Sequence, residues 1–179
     1  MKITTIGKGS IGGGYGRRWD KAGHTVTMLG RDGGSAADAD VVFLAVPSSA
    51  IATALSKVSG LEGKVIVDAT NAFAGRDNSY PSLAHQIKAH TGGPVAKAFN
   101  LSYAALLDRI DGQRVAPSLL YAADSEATAI ADQLIRDAGL HPVSLGDLGA
   151  ARGLEDMVTN VFIHMPRPVF YRFAIPGEL

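Results

Sequence analysis

The sequence predicts an α/β protein built on one doubly wound, mostly parallel sheet with helices on both faces. Three observations predict it. Short apolar runs alternate with alanine-rich stretches of helical period. Several of those runs are apolar nearly throughout, as strands covered on both faces must be. A glycine cluster stands directly between the first strand and the first helix.

The first strand is expected over 2–6. In the following helix Ile11, Tyr15, Trp19 and Ala22 form one stripe, and Gly23 stops it where a left-handed residue is cheapest. Further strands are expected over 25–29, 41–46, 64–68, 95–99, 118–122 and 141–144, and helices over 48–58, 82–89, 125–138 and 150–164. One connection is short. From Arg31 to Asp40 the chain is too brief for a full helix plus an edge strand, but ten extended residues reach roughly 33 Å, enough to pass one neighbouring strand. The third strand is therefore expected beside the first, opposite the second, with the outer strand beyond the second missing. The gap between strands one and three becomes the topological switch point, where open α/β sheets bind ligands. Residues 1–148 are expected to form the binding domain and 149–179 a C-terminal helix and tail.

Composition narrows the function. A chain of 179 residues with 46% hydrophobic and 19% charged residues holds one domain and an appendage. Seventeen basic and seventeen acidic residues cancel, so the charge footprint of a nucleic-acid binder is missing. With no cysteine, disulfides, thiolate metal sites and iron–sulfur clusters are excluded. The longest apolar run, 41–46, is far below the ~20 residues that span a bilayer, and residues 1–6 lead into glycines rather than a signal-peptide core. A soluble, cytoplasmic protein that binds a small molecule is expected.

Gly7-Lys8-Gly9-Ser10-Ile11-Gly12 reads G-x-G-x-x-G, placed after a strand and opening a helix, as a dinucleotide fingerprint requires. Gly7 permits the tight turn, Gly9 lets a pyrophosphate approach the backbone, and Gly12 lets the helix pack on the sheet. The amides of the helix N-terminus face the phosphates. This is a Rossmann-like arrangement. Gly13, Gly14 and Gly16 each weaken the helix, and either ligand approach or tight packing accounts for them. Where an NAD-binding strand would end in an acid, the second strand ends in Gly30-Arg31, and an arginine fork suits a 2′-phosphate. NADP is expected over NAD, although a small backbone shift would bring Asp32 to the ribose.

Val46 and Pro47 form a stiff corner at the end of the third strand, either a surface for the nicotinamide ribose or a plain helix start. Thr70, Asn71 and Asn100 follow the next two strands, where they either bond the nicotinamide end or form turns. Lys97, inside a strand, acts only if its side chain reaches the cleft. His85 and His90 are five residues apart, on different faces of a helix, so no metal site is expected. Ser48 and Ser82 lack a nucleophile elbow. Tyr103 and His164 are the candidate proton donors, each expected to be structural.

These residues together resemble the NADP-dependent oxidoreductases that use coenzyme F420, and among them the short bacterial dinucleotide-binding members. The matching stretches are 3–12, 23–26, 30–31, 39–47, 68–71, the Lys-Ala-Phe-Asn of 97–100, and 152–155. The resemblance implies hydride exchange between NADP(H) and a flavin-like acceptor, a deazaflavin such as F420 or a flavin. It implies that Gly7, Lys8, Gly9, Ser10, Ile11 and Gly12 hold the pyrophosphate and Gly30 and Arg31 the 2′-phosphate. Val46, Pro47, Thr70 and Asn71 would line the nicotinamide half, with the surroundings of Asn100 flooring the acceptor. Hydride transfer between stacked rings needs little protein acid or base, in keeping with the lack of a catalytic dyad. Pyrroline-carboxylate and imine reductases share this front end but add a large helical domain, for which few residues remain. The aromatic tail 169–175 predicts a homodimer surface, or else folds back on its own domain. The alternative function is a non-catalytic NADP(H)-binding sensor or interaction module. Carbonyl or imine reduction, which needs Tyr103 or His164, is a third reading.

Overall fold

The computed structural model describes residues 1–177. Its strands are β1 (Lys2–Ile6), β2 (Thr25–Leu29), β3 (Gly34–Ser35), β4 (Val41–Leu44), β5 (Val58–Ser59), β6 (Val65–Asp68), β7 (Val95–Lys97), β8 (Ser118–Ala123) and β9 (His141–Ser144). The α-helices are α1 (Ser10–Lys21), α2 (Ile51–Ser56), α3 (Leu83–Thr91), α4 (Ser125–Asp137) and α5 (Ala151–Asn160). The main sheet has the order β2-β1-β4-β6-β7-β8-β9. None of the described helices is long and apolar enough to cross a membrane.

β1 pairs in parallel with β2 on one side and β4 on the other, so Ile6 sits between Leu29 and Leu44. The switch point therefore lies where the short 31–40 connection predicts it. That connection is not strand-free, however. β3 pairs with β5 in a separate two-stranded ribbon, because Gly34 N–H donates to the Lys57 carbonyl at 3.1 Å. The same ribbon ends α2 at Ser56, short of the expected 58, and its first turn is a 3-10 turn over Ser48–Ala50. β4 stops at Leu44, two residues early, ahead of Pro47, which has no N–H to extend the pairing. β8 runs antiparallel to β7, the one reversed pair of the main sheet. A 3-10 run, Ala104–Gly112, rather than a crossover α-helix, joins them.

Strand alternation divides the core. Ile3, Val41, Phe43 and Val67 face α1 and α4, while Ile6, Val42, Leu44 and Ile66 face α2 and α3. The first face holds an aromatic cluster of Tyr15, Trp19, Phe43 and Phe99, with the Tyr15 and Phe99 centroids 4.5 Å apart. The Trp19 indole donates to the Leu134 carbonyl at 2.9 Å, which ties α1 to α4. Phe99 is left-handed (φ 65°), a conformation that costs of order 1–3 kcal/mol for a side chain of this size. Burial of its ring in the cluster offsets that cost and turns the chain sharply at Asn100.

The segment 149–179 packs against the same sheet as far as it is described. Leu154 and Val158 of α5 are buried against Leu120 and Ala122 of β8. The tail folds back in part: Ser118 N–H donates to the Tyr171 carbonyl at 2.8 Å, and Phe170 reaches the first core face. Val161, Ile163, Met165, Phe173 and Ile175 remain exposed.

Candidate functional site: a dinucleotide cleft at the switch point

The glycine loop is shaped by its neighbours at two positions and by none at the third. Gly7 adopts φ 99°, donates its N–H to the Leu29 carbonyl at 3.0 Å, and a Cβ there would lie 2.3 Å from the Ala45 carbonyl oxygen. A Cβ on Gly12 would lie 1.7 Å from the Gly7 oxygen. Both are required by backbone packing. Gly9 caps α1, yet a Cβ there would meet nothing within 4 Å. The space above Gly9 is open, no side chain caps the helix, and its first turn has no acid. Uncapped first-turn amides facing open space form a cradle that fits a diphosphate. The extra glycines are explained by packing: a Cβ on Gly14 would meet Leu107 at 2.3 Å, and one on Gly16 would meet Met28 at 2.6 Å.

Beside the cradle stand two cations. A Cβ on Gly30 would lie 3.4 Å from Lys8 Nζ, so the Lys8 ammonium lies over Gly30, next to Arg31. Both residues are exposed, and neither makes an ion pair among the described residues. The Arg31 backbone is fixed, because its carbonyl accepts from Lys57 Nζ at 3.0 Å and Gly33 N–H reaches back to the Gly30 carbonyl. Ser10 and Asp32 are exposed and Ile11 half-buried. Val46 is half-buried and Pro47 exposed; Pro47 also begins the 3-10 turn, its carbonyl accepting from Ala50 N–H at 2.9 Å.

One strand further, Thr70 is buried and Asn71 half-buried. The two asparagines singled out in the sequence bond each other. Asn71 Nδ2 donates to the Asn100 carbonyl at 2.8 Å, and Asn100 Nδ2 donates to Asn71 Oδ1 at 3.1 Å and to the Leu154 carbonyl at 3.0 Å. Asn100 is thus a buried strut rather than an open surface, and only its Oδ1 lacks a partner. Beneath them lies a charge cluster that sequence reading missed. Lys97 is fully buried and donates to Asp68 Oδ2 at 2.9 Å and to the Thr70 carbonyl at 2.6 Å. Glu155 Oε1 stands 3.3 Å from Lys97 Nζ, and Glu155 Oε2 stands 3.2 Å from Arg76 Nε. Burial pushes the Glu155 carboxyl above its usual range against the pull of Lys97. The available signal was two charges, Asp68 and Lys97, inside otherwise apolar central strands.

Of the two candidate proton donors, one is committed elsewhere and the other is exposed. Tyr103 donates its hydroxyl proton to the Phe162 carbonyl at 2.7 Å, and burial raises its pKa. His164 is exposed beyond α5.

Residues 30–72 match the family of NADP oxidoreductases, coenzyme F420-dependent. The matched stretch includes Gly30, Arg31, Val46, Pro47, Thr70 and Asn71. Among solved structures, a protein from Arthrobacter sp. FB24, provisionally assigned as an F420-dependent NADP-reductase, is similar with a TM-score of 0.74 and 25% identity. The likeness covers 89% of this chain and 90% of that one. A hypothetical protein from Sinorhizobium meliloti gives 0.66 at 28% identity, over 84% and 86% of the two chains. The reductive aminase from Aspergillus terreus in complex with NADPH and ethyl levulinate gives 0.66 at 17% identity, over 90% of this chain but 61% of that one; this likeness is one of fold. No curated protein matches the sequence. The family match and the neighbours of similar size support an NADP-dependent oxidoreductase with a Rossmann-like fold, as the sequence predicts.

Proposed function

We propose that the protein exchanges a hydride between NADP(H) and a flavin-like acceptor, F420 or another deazaflavin or a flavin. The observation that carries the cofactor half is the open cradle over Gly9 with Lys8 and Arg31 beside it, neither in an ion pair among the described residues. In this reading the backbone amides of Gly9, Ser10, Ile11 and Gly12 receive the diphosphate, and Gly7, its own amide bound to Leu29, makes the turn that presents them. Lys8, Gly30 and Arg31 receive the 2′-phosphate, and the two cations there favour NADP over NAD. Val46 and Pro47 support the nicotinamide ribose from one side of the switch point. Thr70 and Asn71 close the other side, held in place by Lys97 and Asn100.

When bound, NADPH supplies a hydride from its ring, and the acceptor takes that hydride with one proton from water, leaving NADP⁺. The protein's part is to align two rings and exclude solvent, which needs no acid–base pair. That Tyr103 is tied to a carbonyl argues for this reading over carbonyl reduction.

Stopped-flow absorbance with NADPH and a panel of deazaflavin and flavin acceptors tests it. Oxidation of NADPH matched to acceptor reduction is expected. Tight NADPH binding with no turnover on any acceptor removes hydride transfer and leaves a sensor or interaction module. A cytoplasmic homodimer belongs to the same proposal, supported by exposed Val161, Ile163, Met165 and Phe173. Sedimentation showing a monomer at high micromolar concentration would remove the dimer alone.

A further inference from the structure

Arg31 and Asp32 stand side by side after β2, and they suit opposite cofactors. A guanidinium fits a 2′-phosphate, whereas a carboxylate fits the free 2′-hydroxyl of an NAD ribose. Both side chains are exposed, and neither forms an ion pair among the described residues. Which of them faces the ribose therefore depends on the backbone that carries them. That backbone is a four-residue turn: Gly33 N–H donates to the Gly30 carbonyl at 3.2 Å, which leaves Arg31 and Asp32 at the two central positions. The peptide between two central residues takes no part in the bond that closes such a turn, and its rotation is what separates one turn type from another. Rotating it re-aims the side chains on either side. Here that peptide is held from outside. Lys57 Nζ donates at 3.0 Å to the Arg31 carbonyl, the oxygen of this same peptide.

The lysine is well placed to hold it. Lys57 directly follows α2, whose Ile51 and Leu55 are buried in the second core face, so its ammonium is delivered by an anchored element. Its own carbonyl accepts from Gly34 N–H at 3.1 Å, and a Cβ on Gly33, which has φ 78°, would lie 2.0 Å from that carbonyl oxygen. Glycine at 33 is what lets the loop lie this close. Further along, Lys64 Nζ donates to the Ala37 and Ala39 carbonyls at 2.8 and 2.7 Å and fixes the far end of the connection. We infer that Lys57 is a positioning residue for cofactor choice: by fixing the central peptide of the turn it presents Arg31, rather than Asp32, to the 2′ position of the adenine ribose. This rests on the NADP reading and names what in the chain enforces it. The sequence offered no sign of it, since Lys57 lies 26 residues from Arg31 and reads as a solvated helix end.

Calorimetry with NADPH and with NADH on the whole protein tests this. Substitution at 57 isolates the side chain, because the bond between Gly34 and Lys57 joins main chains and survives it. Lys57→Met should weaken NADPH about tenfold without weakening NADH, and Lys57→Arg, which keeps a donor, should stay within about threefold of the natural protein. In an Arg31→Ala background, Lys57→Met should change NADPH affinity by less than about twofold, because Lys57 acts through Arg31. An unchanged preference in Lys57→Met, with Arg31→Ala still selective against NADPH, overturns this inference and leaves the NADP reading intact. Parallel losses for both nucleotides would make Lys57 a general support of the fold and overturn it too. Additive losses in the Arg31→Ala background would put Lys57 on the phosphate itself, which overturns the positioning role. Equal binding of NADPH and NADH by the unaltered protein overturns this inference and the NADP reading together.

Discussion

Two pairs of cations, one on each side of the switch point, are treated in opposite ways. Lys97 is buried and Arg76 half-buried, and both are answered by acids: Asp68 and Glu155 face Lys97, while Glu155 and Asp156 face Arg76. Lys8 and Arg31 are exposed beside an open cradle and have no acidic partner among the described residues. Each pair is local to one function. A compensated buried cation fixes geometry, here the Thr70–Asn71 rim, whereas an uncompensated surface cation next to uncapped helix amides is available to an anion. The contrast separates what holds the site from what is proposed to fill it.

The largest effect tests the buried side. Lys97→Met leaves Asp68 and Glu155 facing each other without their shared cation, and breaking a buried pair in this way costs about 3–5 kcal/mol. Urea denaturation should show a loss of that size. A loss below ~1 kcal/mol would mean that the cluster is not a strut and would break the comparison.

On the exposed side the effect should appear in binding instead. Arg31→Ala should weaken NADPH by the ~1.5–3 kcal/mol typical of a bond to a charged group, with NADH affinity little changed. Lys8→Ala should weaken NADPH in the same sense but less, since its ammonium is mobile and strongly hydrated. Neither should alter urea stability by more than ~0.5 kcal/mol, because neither side chain has an ionic partner among the described residues to lose. Calorimetry with both nucleotides checks this. Equal losses for NADPH and NADH would remove the 2′-phosphate from the role proposed for these residues.

The division between the two sides also marks what the sequence could and could not tell. The glycine loop, Gly30-Arg31 and the position of β4 beside β1 are legible because they are set by local constraints: a strand, a tight turn, and a connection too short for the alternative. Phe99, left-handed within an aromatic cluster, and the mutual bonding of Asn71 and Asn100 depend on contacts between residues 29 apart or more in most cases. Glu155 shows the limit best. Its sequence neighbours Arg152 and Asp156 suggest an exposed helical face, yet α5 turns it fully inward to meet Lys97 and to accept the Leu83 N–H at 2.9 Å. The reversed direction of β8 was hidden for the same reason, since the composition of a strand carries no sense of its direction.

A smaller effect sharpens the contrast at the level of one methyl group. Gly9→Ala places a Cβ in open space, so stability should change by less than ~0.5 kcal/mol while both nucleotides bind more weakly. Gly12→Ala drives a Cβ into the Gly7 carbonyl and should destabilise the fold itself. If Gly9→Ala leaves NADPH and NADH affinity unchanged, the cradle does not receive the diphosphate.

The smallest expected effect is a pH gradient in the buried cluster. Glu155 is held above its ordinary range first by burial; Lys97 opposes this, the charge of Asp68 adds to it, and Arg76 opposes it. The folded state therefore holds this proton more tightly than the unfolded chain, whose glutamates titrate near ~4.3. A contribution of this sign is fully present below the unfolded value and is lost as pH rises through the raised folded value. Glu155→Gln cannot titrate, so it lacks that decline while its amide approximates the protonated form. The stability of the natural protein minus that of Glu155→Gln should thus shrink as pH rises from about 4 toward neutrality. Urea titrations at a series of pH values read this directly. A difference that grows with pH would mean that Lys97 and Arg76 outweigh burial and hold Glu155 as a carboxylate throughout, making the cluster a net source of stability rather than a geometric clamp.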